Sequence, residues 1–173
     1  MKKILILGVG AQGSTVAKMM NEEKNVDVII CADYDQKAVD TLVSELDKAE
    51  GVRVDAHDRA SIVAAANGAD LIVNGLPLEC HQNVLEAALE VRANYQDFAA
   101  TDALHEDWIE SVRILYDAYG PKFKAINRTA IIGTGSAPGL ICAATRNAVR
   151  HLDTCETINN LVYEGVEAKR LIP

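Results

Sequence analysis

The sequence predicts a doubly wound α/β fold, a parallel sheet with helices on both faces, and three observations predict it. Six short apolar runs recur along the 173 residues, too continuous for strands wetted on one side and therefore read as strands buried on both faces. Between them apolar residues return at helical spacing. The first run is followed at once by Gly8-Val9-Gly10-Ala11-Gln12-Gly13, and an acid, Asp33, closes the second. Strands alternating with helices require right-handed crossovers, and the expected strand order is 3-2-1-4-5-6.

The first strand covers residues 1–7, with Lys2 and Lys3 ahead of its apolar part. Gly8 permits the tight turn off this strand, Gly10 leaves bare backbone for a pyrophosphate, and Gly13 lets the next helix pack closely on the sheet. That helix opens near Ala11 and carries Val16, Ala17, Met19 and Met20 at helical spacing; residues 26–33 form the second strand. Asp35 is the expected N-cap of a helix whose buried face is Ala38, Val39, Leu42, Val43 and Leu46. Gly51 is read as a break before a third strand, Val52-Arg53-Val54-Asp55. Asp58 caps a helix bearing Ile62, Val63 and Ala66, and Leu71-Ile72-Val73 is a fourth strand ending at Asn74-Gly75-Leu76-Pro77.

Val84, Leu85, Ala88 and Leu89 mark the following helix, residues 95–98 a fifth strand and residues 108–119 another helix. Ala130-Ile131-Ile132 is the sixth strand, running into Gly133-Thr134-Gly135-Ser136-Ala137-Pro138-Gly139. A last helix over residues 140–152 leads to an apparent strand over 156–163. The expected organisation is a dinucleotide-binding domain over residues 1–152, with 153–173 beginning a second domain for substrate binding or dimerisation.

Composition narrows the function classes. A formal net charge of −8 argues against a surface that neutralises nucleic acid or anionic lipid. No apolar run approaches the roughly 20 residues of a membrane helix, and the N-terminal run is too short for a signal peptide. A cytoplasmic location is expected. The four cysteines, Cys31, Cys80, Cys142 and Cys155, show no CxxC pair and no ligand spacing, so buried reduced thiols and no metal are expected. Cys80 beside His81 keeps open a metal or nucleophile pair.

In a doubly wound sheet ligands bind beyond the carboxyl ends of the strands, where strands one and four diverge. Gly8, Gly10, Ala11, Gln12 and Gly13 would hold a pyrophosphate on the N–H groups and positive end of the first helix. Asp33 would accept both ribose hydroxyls of NAD and repel the 2′-phosphate of NADP. Tyr34 stands where an NADP site often supplies arginine, so NAD is expected over NADP. The alternative for Asp33, a cap or surface carboxylate, is weakened because Asp35 already fills the cap. Asp55 and Ala56 would lie beside the adenine, although Asp55 reads equally as a turn carboxylate. Asn74, Gly75, Leu76 and Pro77 would line the nicotinamide ribose, or else only reverse the chain. A glycine turn with a distal acid also suits FAD.

No catalytic group is assigned. His57, His81, His105 and His151 are scattered, with no HExxH and no nucleophile elbow; His105, near Asp102 and Glu106, reads as a solvated helix start. Hydride transfer chiefly needs a positioned cofactor and excluded solvent, so an oxidoreductase survives this absence.

In their order, Ile4 to Gly13 with Ala32-Asp33, then Asn74 to Pro77, then Asn94-Tyr95-Gln96-Asp97, then Gly135-Ser136-Ala137-Pro138-Gly139-Leu140, the motifs make the sequence resemble the saccharopine dehydrogenase superfamily. The branch includes saccharopine reductases, lysine 6-dehydrogenase-like proteins and carboxynorspermidine dehydrogenases. The glycine motif is generic to Rossmann domains; the Tyr-x-Asp strand followed by Gly-x-x-Pro-Gly-Leu is more specific. The resemblance implies an NAD(P)-dependent oxidoreductase acting on amines of amino acids or polyamines, with a substrate domain following the segment that ends here. It implies that Asp97 and the Ser136 loop border the nicotinamide, as neither acid nor base by assignment. A small amino acid or polyamine is the expected partner and a homodimer is compatible. The rival from another class is a non-catalytic NAD(H)-binding sensor or regulatory module.

Overall fold

A computed structural model describes residues 2–99 and 107–161. Six parallel strands form one sheet in the order β3-β2-β1-β4-β5-β6, as the alternation of elements predicts. They are β1 (Lys3–Leu7), β2 (Val28–Asp33), β3 (Ala49–Arg53), β4 (Leu71–Asn74), β5 (Asn94–Asp97) and β6 (Ala130–Ile131). The helices are α1 (Ala11–Glu22), α2 (Gln36–Val43), α3 (Arg59–Ala65), α4 (His81–Glu90), α5 (Trp108–Ala125) and α6 (Ile141–Val149).

Period-two alternation along β1 explains why its run is apolar throughout. Ile4 and Ile6 join Ala17, Val39 and Leu42 under α1 and α2. Leu5 and Leu7 join Ile62, Val84, Leu85 and Phe123 under α3, α4 and α5. Asp35 caps α2, its Oδ1 accepting from the amides of Lys37 and Ala38, and Asp58 caps α3 by accepting from Ala60, as expected.

Several boundaries differ. Met19 does not join the buried face of α1; it is exposed, because two residues beyond Ala17 is about 200° around the helix. Gly51 is no break but the middle of β3, paired with Cys31. A Cβ there would lie 2.7 Å from Val39 Cγ1, so the glycine admits α2 close to the sheet. Helix α5 runs past Tyr119 to Ala125 with Pro121 inside it; exposed Asp117, whose carbonyl loses that amide, faces water, while buried Phe123 anchors the last turn. Helix α6 stops at Val149, and residues 156–161 form no strand. Tyr163, the end of that expected strand, and His105 with Asp102 and Glu106 lie outside the described residues.

Only half of the thiols are buried: Cys31 and Cys80 are, whereas Cys142 and Cys155 are exposed, because α6 and the segment after it bury no side chain against the sheet. Burial pushes the Cys31 thiol up to about 11. An acid raised on folding favours the native state while protonated, so this contribution to stability is complete below the ordinary value of 9.0 and is lost as pH rises toward 11. Titration with an aromatic disulfide at pH 8 should label Cys142 and Cys155 at once and Cys31 and Cys80 only on unfolding. Four thiols reacting together in the native state would contradict this packing. No helix among the described residues is long and apolar enough to cross a membrane.

Candidate dinucleotide site

The carboxyl ends of β1, β2 and β4 bring the glycine turn, Asp33 and residues 74–77 to one edge of the sheet, as the register requires. Gly8 has φ +84°, a left-handed conformation that disfavours side chains, and its amide donates to the Ala32 carbonyl at 2.8 Å. Gly13 packs against it: a Cβ on Gly13 would fall 1.8 Å from the Gly8 oxygen. Gly10 is the opposite case, since a Cβ there would meet nothing within 4 Å. Gly10 is also the N-cap of α1, which has no side-chain cap and no acid in its first turn. Ala11 and Gln12 are both exposed, so their first-turn amides lie beside the open space left by Gly10. Bare backbone, orphan N–H groups and a helix dipole fit a diphosphate.

Asp33 is tied into this loop. Its Oδ2 accepts from the Val9 amide at 2.8 Å and its Oδ1 from the Asp35 amide at 3.1 Å. A carboxylate has about four acceptor sites, so this clamp leaves capacity for ribose hydroxyls. Tyr34 is exposed, and its carbonyl accepts from Arg53 Nε at 3.1 Å. Arg53 ends β3 directly beside Asp33, placing a guanidinium where Tyr34 offers no charge. Sequence reasoning missed Arg53 because the neighbour of Asp33 is set by strand pairing, not by chain order. Asp55 accepts from the His57 amide at 3.0 Å, a turn-closing bond. Asn83 Nδ2 of α4 donates to the carbonyls of Ala56 and His57 at 3.1 and 3.2 Å, holding the loop expected to face adenine.

Asn74 departs from expectation. Its amide does not line the crevice; it is buried, with Nδ2 donating to Tyr95 Oη at 2.9 Å and Oδ1 accepting from the Leu76 amide at 3.1 Å. A polar side chain at a strand end buried on both faces turns inward when partners await it there. The backbone of Gly75 stays near the glycine turn, its amide donating to Leu7 O at 2.8 Å, and Pro77 is exposed. Asp97 does not border the crevice directly either. Fully buried, it accepts from Tyr95 Oη at 3.0 Å and from the Gly133 amide at 2.7 Å. Burial and the Asp97 charge hold the Tyr95 phenol well above its usual range. Ser136 is exposed in the turn after β6.

The pairing of Cys80 with His81 as nucleophile or metal site finds no support. Burial and the charges of Glu79 and Asp55 raise the Cys80 thiol, disfavouring thiolate, and the described residues contain no group of three metal-ligating side chains.

The sheet order, the glycine turn and the open head of α1 define a Rossmann domain of the dinucleotide-binding kind. The sequence model of the saccharopine dehydrogenase NADP binding domain matches residues 4–131, and the chain belongs to that family. It is 29% identical over 174 aligned residues to a carboxynorspermidine synthase of Vibrio alginolyticus, covering 90% of this chain and 42% of that protein. The fold is similar to the saccharopine dehydrogenase (L-Glu forming) of Saccharomyces cerevisiae, with TM-score 0.67, 17% identity, and 87% of this chain and 32% of that one covered. It is also similar to a myo-inositol dehydrogenase of Corynebacterium glutamicum, with TM-score 0.61, 20% identity and coverages of 87% and 41%. The chain spans less than half the length of each of these relatives.

Proposed function

We propose that this chain is the NADP(H)-binding part of an oxidoreductase acting on the C–N bond of an amino acid or polyamine. The observation that carries the dinucleotide is the open cradle at Gly10, at the head of an uncapped α1. The C–N chemistry rests on similarity to a carboxynorspermidine synthase and to a saccharopine dehydrogenase, and the substrate domain belongs to the portion of such a protein that this chain does not span. A cytoplasmic location suits the exposed reduced thiols.

The cofactor choice departs from the NAD expected from Asp33 and Tyr34. One structural observation supports NADP(H): Arg53 stands beside Asp33, suited to a 2′-phosphate. Family membership points the same way. On binding, the nicotinamide group supplies hydride chemistry, while the protein's residues orient it through the glycine turn and the loop after β4.

Calorimetric titration with NADPH and NADH tests this reading, and NADPH should bind more tightly. Arg53→Ala should weaken NADPH by roughly ten- to a hundredfold, the worth of a charge-assisted contact, and leave NADH nearly unchanged. Asp33→Ala should weaken NADH more than NADPH. Binding of neither dinucleotide would overturn the proposal.

A further inference from the structure

The buried polar groups behind the loop after β4 form one chain with a direction. Asn74 donates to Tyr95, Tyr95 donates to Asp97, and Asp97 receives the Gly133 amide. At its other side stands His81, the first residue of α4 and 2% exposed. Its Nε2 lies 3.2 Å from the Leu76 carbonyl and its Nδ1 3.7 Å from Asp97 Oδ2. A carbonyl only accepts, so Nε2 carries the hydrogen. Nδ1 is buried and has no hydrogen-bond partner. Such an orphan is rare in a native interior and calls for a reason.

The chain ends on the two loops that would flank the nicotinamide half. Leu76 is held from both sides, its amide by Asn74 and its carbonyl by His81. The turn after β6 is held by Asp97, whose Oδ1 takes the Gly133 amide and whose carbonyl takes the Thr134 amide and hydroxyl. None of these side chains reaches the adenosine half, which rests on the glycine turn, Asp33 and Arg53.

Resting on the dinucleotide reading above, the geometry points to His81 as a positioning residue for the nicotinamide end. Its Nε2–H sets the direction of the Leu76–Pro77 peptide, and its ring packs beside Asp97, the residue that holds the turn at Gly133. Its task is to aim backbone at the cofactor ring while touching neither cofactor nor substrate. The fold alone does not require it, because an apolar side chain of similar volume would fill the same space without an orphaned nitrogen.

The test compares two ligands on three proteins by calorimetry: NADPH, which uses both halves of the site, and 2′,5′-ADP, which uses only the adenosine half. For His81→Leu, NADPH should weaken roughly tenfold, the worth of one buried hydrogen bond and its alignment, while 2′,5′-ADP stays within about twofold of wild type. His81→Gln keeps a donor near the Nε2 position and should restore most of the NADPH affinity. Should His81→Leu fail to fold, Tyr95→Phe, which removes only the hydroxyl linking Asn74 to Asp97, should show the same split. Equal losses for both ligands, no loss for either, or a glutamine variant as weak as leucine would overturn the role of His81 alone. A wild-type chain that binds 2′,5′-ADP and NADPH not at all would overturn the dinucleotide reading itself.

Discussion

Gly13→Ala should be strongly destabilising, lowering stability by about 3 kcal/mol or more and the melting temperature by roughly 10 °C. The added methyl would sit 1.8 Å from the Gly8 carbonyl oxygen, 3.0 Å from its carbon and 3.4 Å from Ile6 Cγ2. The first two are backbone atoms, and Gly8 is held in place by the hydrogen bond its amide donates to the Ala32 carbonyl. No rotamer change relieves the overlap. Either α1 lifts off the sheet, loosening Ala17 from Ile4 and Ile6, or the turn at Gly8 opens and carries the end of β1 with it. Thermal unfolding followed by far-ultraviolet dichroism would measure the loss. A melting temperature within about 2 °C of wild type would mean that helix and strand are not in this contact.

Gly10→Val should do the reverse, leaving stability almost unchanged while reducing dinucleotide affinity by about a hundredfold, or roughly 3 kcal/mol. Gly10 has φ −62°, which any residue adopts, and the space where its Cβ would stand is empty. The folded chain without ligand therefore has nothing to object to. A pyrophosphate seated on the amides of Ala11 and Gln12 does, since the valine methyls occupy the approach that bare backbone leaves open. Calorimetry with NADPH and a parallel melt would separate the two quantities. Full binding by the valine variant would place the phosphates elsewhere, whereas loss of both stability and binding would show that Gly10 serves the fold. The pair Gly13 and Gly10 thus divides the glycine motif into a packing position and a ligand position.

Much of the architecture was legible in the chain because the central strands β1, β2 and β4, buried on both faces, are apolar almost throughout, whereas β3, with Glu50 and Arg53, and β5, Asn-Tyr-Gln-Asp, carry no such run. Asp35 and Asp58 were legible as caps because capping is a bond between neighbours in sequence. Legibility failed where the deciding contact came from a distant segment. Gly51 reads as a breaker until Val39 is seen pressing on it from α2. Asn74 reads as a crevice-lining amide until Tyr95, on the adjacent strand, offers its hydroxyl. Cys142 and Cys155 read as core thiols by their apolar neighbours, yet no face of the sheet is offered to them.

By itself the sequence determined the alternation of elements, from periodicity, and the strand order expected of a doubly wound sheet. The family came through a resemblance carried by the ordered motifs from Gly8 to Leu140, not from periodicity or the generic glycine spacing. Only the tertiary structure decided which side chains meet across strands. It set Arg53 beside Asp33, turned Asn74 and Asp97 inward, and enclosed His81 between Leu76 and Asp97. The physical reason is the parallel sheet: its neighbours are separated in the chain by a whole strand–helix crossover, so lateral pairings and the buried hydrogen bonds that depend on them exist only once the sheet has assembled.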